Sequence, residues 1–169
     1  MLSAEVSSEP FVISESSLES LAATTNIVLE AENNITIQDL ADNALEFSSG
    51  TAENTEGSIT FTADADNDGN GNFVMDSSDF LRARGRDLSI TAASISFGNI
   101  DTAGEGGVPI DETTTGVSGN EGREGGSVTL TAQSNEISGG SISTVGGFGS
   151  NGSRGNDATT ESIAENGGD

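Results

Sequence analysis

The residues whose types and spacing could do chemistry lie in Asp64-Ala65-Asp66-Asn67-Asp68-Gly69-Asn70-Gly71-Asn72, with Asp76 shortly after. Carboxylates at alternate positions ahead of a glycine can wrap several hard oxygen donors around a divalent cation, as in the first half of an EF-hand loop. Calcium is the cofactor that such a loop would take. Its candidate ligands are Asp64, Asp66, Asp68, the backbone carbonyl of Asn70, and Asp76 or Asp79 from the next segment. The match is partial, because Met75 stands at the twelfth position where a bidentate glutamate is needed, and no helical pattern flanks the loop. A solvated Asp/Asn/Gly turn between two strands is the competing reading.

Two other groupings could bind a ligand. Arg82, Arg84 and Arg86 alternate, so on a strand they would share a face and meet either an anionic sugar or the neighbouring acids. The acid excess favours pairing, and exposed pairs add little stability. Thr60, Ser89 and Thr129, with Thr62, Thr91 and Thr131 beside them, would form a hydroxyl ladder that could face ice or a glycan. Ser89 interrupts the Thr-x-Thr pattern, and strands favour threonine on an outer face in any case.

Several chemistries are excluded by composition. The chain has no histidine and no cysteine, which removes a Ser-His-Asp triad, a thiol nucleophile, disulfides and most zinc or iron sites. Its 28 acidic residues face five arginines and no lysine, a net charge of -23 that repels nucleic acid. A phosphate-binding loop lacks its lysine. Polysaccharide-cleaving chemistry needs carboxylates paired in a groove, whereas the acids here fall in turns, so no catalysis is expected. There is no apolar run long enough to span a bilayer, and the first thirty residues lack the basic start and unbroken apolar core of a signal peptide. The protein is therefore expected either to stay inside the cell or to be an internal piece of an exported one.

The elements that would position the acidic loop are repeats. Gly57-Ser58-Ile59-Thr60-Phe61-Thr62-Ala63 runs straight into it, and copies recur at Arg86 to Ala92 and Gly126 to Ala132, with a looser one at Thr25 to Ala31. Each copy alternates apolar and mostly polar residues, the period of a half-buried strand. The copies start 32, 29 and 40 residues apart. Ile95 and Phe97, then Ile100, follow the third copy much as Ile137, then Ile142, follow the fourth, so a rung has three short strands. A rung returning every thirty to forty residues predicts an all-β, parallel β-helix of about four imperfect rungs. An antiparallel sandwich also suits short alternating strands, but gives no reason for them to recur in one internal order.

In the first column Ile27, Ile59, Leu88 and Val128 should stack, and in the next Leu29, Phe61, Ile90 and Leu130. Phe73, Met75, Phe80 and Leu81 are further core candidates. Residues 1–25 form an extended lead-in with one or two helical turns, where Ser16 and Glu19 have the form of a capping box. The rungs occupy 26–145, interrupted by an aperiodic loop at 105–125. The tail at 146–169, rich in Gly, Asn, Asp and Glu, reads as loop or disorder, and Gly167-Gly168-Asp169 resembles Gly125-Gly126-Ser127, the approach to a further rung.

The run Asn26 to Ile37, the stretch Ile59 to Asp66, and Gly85 to Ile90 followed by Gly98-Asn99-Ile100-Asp101-Thr102 resemble the large cyanobacterial filamentous-haemagglutinin-like proteins. The similarity covers about residues 10 to 145. It implies a right-handed β-helix, secretion to the cell surface through an outer-membrane export partner, and adhesive or structural roles with cell-surface or matrix glycans as partners. This chain lacks the family's N-terminal secretion domain. The expected function is a non-catalytic, stiff shaft presenting acidic and glycine-rich loops; a calcium-dependent carbohydrate-binding module is the alternative.

Overall fold

Alternation and the corners between strands together make each strand short. Apolar side chains on one face bury against the interior, and no strand runs beyond five residues before the chain turns a corner. In a computed structural model, residues 10–49, 56–107, 118, 120–134 and 136–151 are described. They form four rungs of three strands each: β1 (Ile27–Glu30), β2 (Ile35–Ile37) and β3 (Ala44–Glu46); β4 (Ile59–Thr62), β5 (Asn72–Met75) and β6 (Phe80–Arg82); β7 (Leu88–Ala92), β8 (Ser94–Phe97) and β9 (Asn99–Asp101); β10 (Val128–Ala132), β11 (Ile137–Gly139) and β12 (Ile142–Ser143).

Corresponding strands of successive rungs pair in parallel and build three four-stranded sheets, β1-β4-β7-β10, β2-β5-β8-β11 and β3-β6-β9-β12. This is the parallel β-helix. The register follows the apolar columns: Ile27, Ile59, Leu88 and Val128 align, as do Leu29, Phe61, Ile90 and Leu130. On the second sheet Ile35, Phe73, Ile95 and Ile137 align, and on the third Leu45, Leu81, Ile100 and Ile142. In the two middle rungs these side chains are buried, and the rings of Phe61 and Phe73 meet at 5.5 Å to tie the first sheet to the second. Each such side chain contributes about 1.5–3 kcal/mol relative to exposure.

Helix α1 (Glu15–Glu19) closes the N-terminal end. Leu18 and Leu21 pack on the core, and the Glu19 carboxylate accepts the Glu46 backbone N–H at 2.8 Å. The cap is Ser14, whose side chain accepts the Ser17 N–H; Ser16 lies within the helix, so the Ser16–Glu19 capping box does not form. Glu19 is drawn away because the edge of β3 would otherwise leave a backbone donor unmet.

One further expectation changes. Phe80 is not a core residue: β6 presents Leu81 inward and Phe80 outward, under the Arg82 guanidinium at 5.0 Å. At the two ends of the loop expected at 105–125 the described backbone lies against the stack, where Arg123 donates its N–H to the Glu105 carbonyl and Gly147 donates to the Arg123 carbonyl. A Cβ on Gly104 would lie 2.0 Å from the Arg123 oxygen, and one on Gly147 would lie 1.9 Å from the Glu105 oxygen, so backbone here lies against backbone. Ser150 likewise donates to the Asn120 carbonyl, which carries the packed chain past 145. The polar segment at 50–55, most of the insertion (108–117 and 119), and the rest of the tail from 152 lie outside the described residues, as do 1–9.

Candidate functional site: the acidic corner after the first sheet

The exit of β4 places the acidic loop on a corner of the second rung. Asp64 sits in the left-handed region at φ 59°, and its N–H donates to the Asn33 carbonyl of the rung before. Gly71 must approach this corner closely, because a Cβ there would lie 2.1 Å from the Asp64 nitrogen. Asp64 is consequently buried at 1% exposure, and its carboxylate folds back to accept the Gly69 N–H at 3.0 and 3.1 Å. Gly69 itself has φ 85°, a conformation in which an L side chain would be strained.

The three alternate carboxylates do converge. Asp64, Asp66 and Asp68 each bring one oxygen within 4.8 Å of the others, with Asp64 buried and the other two exposed. Asp68 accepts both the Asn70 backbone N–H and the Asn70 side-chain amide, each at 2.9 Å. These bonds, the side-chain one foremost, hold the Asp68 carboxyl below its usual range, so it stays ionised in mild acid. The corner therefore concentrates negative charge that a hard cation could neutralise.

The rest of the expected ligand set separates from it. Asn70 serves as a donor to Asp68, and its carbonyl already accepts the Asn72 side chain at 3.4 Å. Asp76 is not part of the carboxylate cluster: β5 carries the chain about 13 Å from Asn72 at strand rise before Asp76 is reached. There it closes its own turn, accepting the Ser78 N–H at 2.8 Å and the Ser78 hydroxyl at 2.7 Å, which lower its pKa. Asp79 is fully buried and receives the Leu40 N–H at 3.2 Å, a structural bond between the first two rungs.

The three arginines divide as well. Arg82 and Arg84 face outward and both pair with Glu46, Arg84 at 2.8 Å, and Arg84 also reaches Glu105 at 2.9 Å. Those bonds, Arg84 first, lower the Glu46 pKa. The turn at Arg84 and Gly85, both at positive φ, reverses the pattern and sends Arg86 inside. Arg86 is 1% exposed, lies 5.6 Å from the Phe47 ring centroid, and donates Nε to the Gly57 carbonyl at 2.7 Å and Nη2 to the Thr25 carbonyl at 2.6 Å. One side chain thus joins three rungs. Burial pushes its pKa down, and its Nη1 has no hydrogen-bond partner among the described residues. A polar cavity of about 470 Å³ lies beside it, with Glu56, Asp87, Arg123 and Glu124 in its wall.

Asn and Asp side chains at the corners form a second set of bonds between rungs. Asn26 accepts the Ser58 N–H at 2.9 Å, Asn34 the Asn72 N–H at 2.8 Å, Asp87 the Ser127 N–H at 2.7 Å and Asn99 the Ser141 N–H at 3.2 Å. An Asn or Asp at the first position of a strand or just before it is the signal that could have found them, since a short side-chain oxygen there reaches the backbone of the next rung. The hydroxyl ladder is also in place, with Thr60, Ser89 and Thr129 in register and Thr62, Thr91 and Thr131 beside them. Comparisons with protein families, curated proteins and solved structures return no match for this chain.

Proposed function

We propose that the chain is a non-catalytic stretch of shaft from an exported, adhesin-like cell-surface protein, which holds acidic and glycine-rich loops away from its axis. The supporting observation is the unbroken register of one three-strand rung repeated four times. The strands of each rung pair only with those of the adjacent rungs, so length is added without changing the cross-section, which is what a stiff spacer requires. Export through an outer-membrane partner and glycans as surface partners belong to the same reading. Antibody raised against the folded chain should label intact cells of the source organism. Labelling that appears only after permeabilisation would overturn it.

The convergence of Asp64, Asp66 and Asp68 favours a second reading, a calcium-dependent carbohydrate-binding module. It requires glycan binding that chelator abolishes; binding indifferent to chelator removes it.

A further inference from the structure

The corner that leads from the third sheet back to the first gathers residues from successive rungs: Glu56 precedes β4, Arg86 lies between β6 and β7, and residues 121–126 lie between β9 and β10. Arg82, Arg84 and Arg123 each pair with a glutamate, whereas Arg86 hydrogen-bonds only to the Gly57 and Thr25 carbonyls among the described residues. Glu56, whose charge acts on Arg86, is itself paired to Arg123. A guanidinium 1% exposed thus lies without an ion pair of its own in a chain of net charge -23, and its Nη1 still lacks an acceptor. A buried charged donor left unmet is costly, so the site calls for an oxygen that this chain does not supply. The polar cavity of about 470 Å³ that Arg86 helps to line falls within the range of about 300–1,000 Å³ that holds a small molecule. Part of its wall is close-packed main chain, with no side chain to swing across it: a Cβ on Gly126 would lie 2.0 Å from the Arg86 carbonyl oxygen, and one on Gly122 2.0 Å from that of Gly147.

We propose that this cavity binds a neutral sugar residue, one hydroxyl oxygen accepting a hydrogen bond from Arg86 Nη1 and others donating to the Glu121 and Glu124 carboxylates. The charges of the wall decide the class of ligand. Glu56, Asp87, Glu121 and Glu124 outnumber Arg86 and Arg123, so an entering anion meets an excess of negative charge, while a cation meets the unpaired guanidinium. A hydroxyl both donates and accepts, so a polyol satisfies the donor and the acceptors together. Glu56 and Asp87 are already engaged, by Arg123 and by Ser127, which leaves the exposed Glu121 and Glu124 to receive the ligand's donors. No aromatic side chain lines the cavity, so recognition rests on hydrogen bonds and is weak, of a kind that a surface shaft uses through multivalent contact. This inference rests on the reading in which glycans are the shaft's surface partners. It gives them a site on a different corner from Asp64, Asp66 and Asp68, and one that needs no calcium.

Nitrogen-15 chemical-shift titration of the full chain with D-glucose, D-galactose and N-acetylglucosamine, in chelator throughout, tests this. At least one sugar should give saturable shifts of the Arg86 side-chain Nε–H and of the Gly122, Gly125 and Gly126 amides, and D-glucuronate should bind more weakly than D-glucose. Arg86→Met should abolish the shifts. Because that variant is also less stable, Glu121→Ala with Glu124→Ala provides a second arm: both positions are exposed, so the circular dichroism spectrum is retained while binding weakens about tenfold. Antibody labelling of intact cells does not involve the cavity, so the cell-surface reading stands or falls separately. No saturable shift with any of the three sugars, as a cavity filled by water alone would give, overturns the proposal. So do shifts confined to other corners, a glucuronate that binds more tightly than glucose, or a double variant that binds as the parent does.

Discussion

Arg86 offers the sharpest test of how the rungs are held together. Replacing it with Met keeps most of the stem that packs near Phe47 but removes the donors to the Gly57 and Thr25 carbonyls, 2.7 and 2.6 Å away. Hydrogen bonds to a charged group are worth about 1.5–3 kcal/mol each, so the two together set an upper loss of roughly 3–6 kcal/mol. Relief from burying a guanidinium whose Nη1 is unmet offsets part of this. A net loss of about 2–4 kcal/mol is expected. In a chain of this size that lowers the melting temperature by roughly 5–15 °C. Arg86→Lys should be damaged nearly as much, since one ammonium cannot reproduce the planar fork that reaches two carbonyls. Urea unfolding followed by circular dichroism gives the free energies. If Arg86→Met lay within about 0.5 kcal/mol of the parent, the staple would be ornamental and the reasoning wrong.

Other expectations follow from the same geometry. Phe61→Asp should unfold the stack, because it buries an unpaired carboxylate at a position 1% exposed, whereas Thr60→Val on the neighbouring outward position should change stability by no more than about 0.5 kcal/mol; circular dichroism of the two variants compares them. Millimolar calcium should raise the melting temperature by relieving the repulsion among Asp64, Asp66 and Asp68, and chelator or the Asp66→Ala, Asp68→Ala double variant should abolish the rise; calorimetry with no heat and no shift counts against a site. Glu46 is held below its ordinary value of 4.5, so its ion pairs contribute stability above that pH and lose it as pH falls through the lower folded-state value. Glu46→Gln should flatten the acid limb of a stability-against-pH curve. The effect is small, because Arg82, Arg84 and Glu46 are each a third or more exposed.

What was legible in the sequence was whatever depended on period. The columns through Ile59 and Phe61 could be read because Thr60, Ser89 and Thr129 are each flanked by two large apolar residues, and a one-residue slip would turn every side chain to the wrong face. What escaped depended on turns. Arg86 shares the parity of Arg82 and Arg84, yet two residues at positive φ reverse its direction, and a polar residue at a buried position gives no periodic signal. Asp76 is close to Asp68 in sequence, but a strand intervenes, and proximity along an extended segment is distance in space. The contacts of Gly104 and Gly147 were hidden for a related reason: glycine in an aperiodic stretch reads equally as loop or as close backbone packing. The three carboxylates of the acidic corner were legible because their spacing is local.

The measurement closest to the central claim is the stacking of successive rungs. Because the chain has no cysteine, Thr60→Cys with Ser89→Cys can be labelled cleanly with pyrene. These positions face outward on β4 and β7 as register partners, with strands about 4.8 Å apart, so the pair should show excimer emission. Thr60→Cys with Ser96→Cys, whose second label lies on a different sheet, should show monomer emission. Excimer from the first pair alone is the predicted result; monomer emission from both pairs would contradict the parallel β-helix.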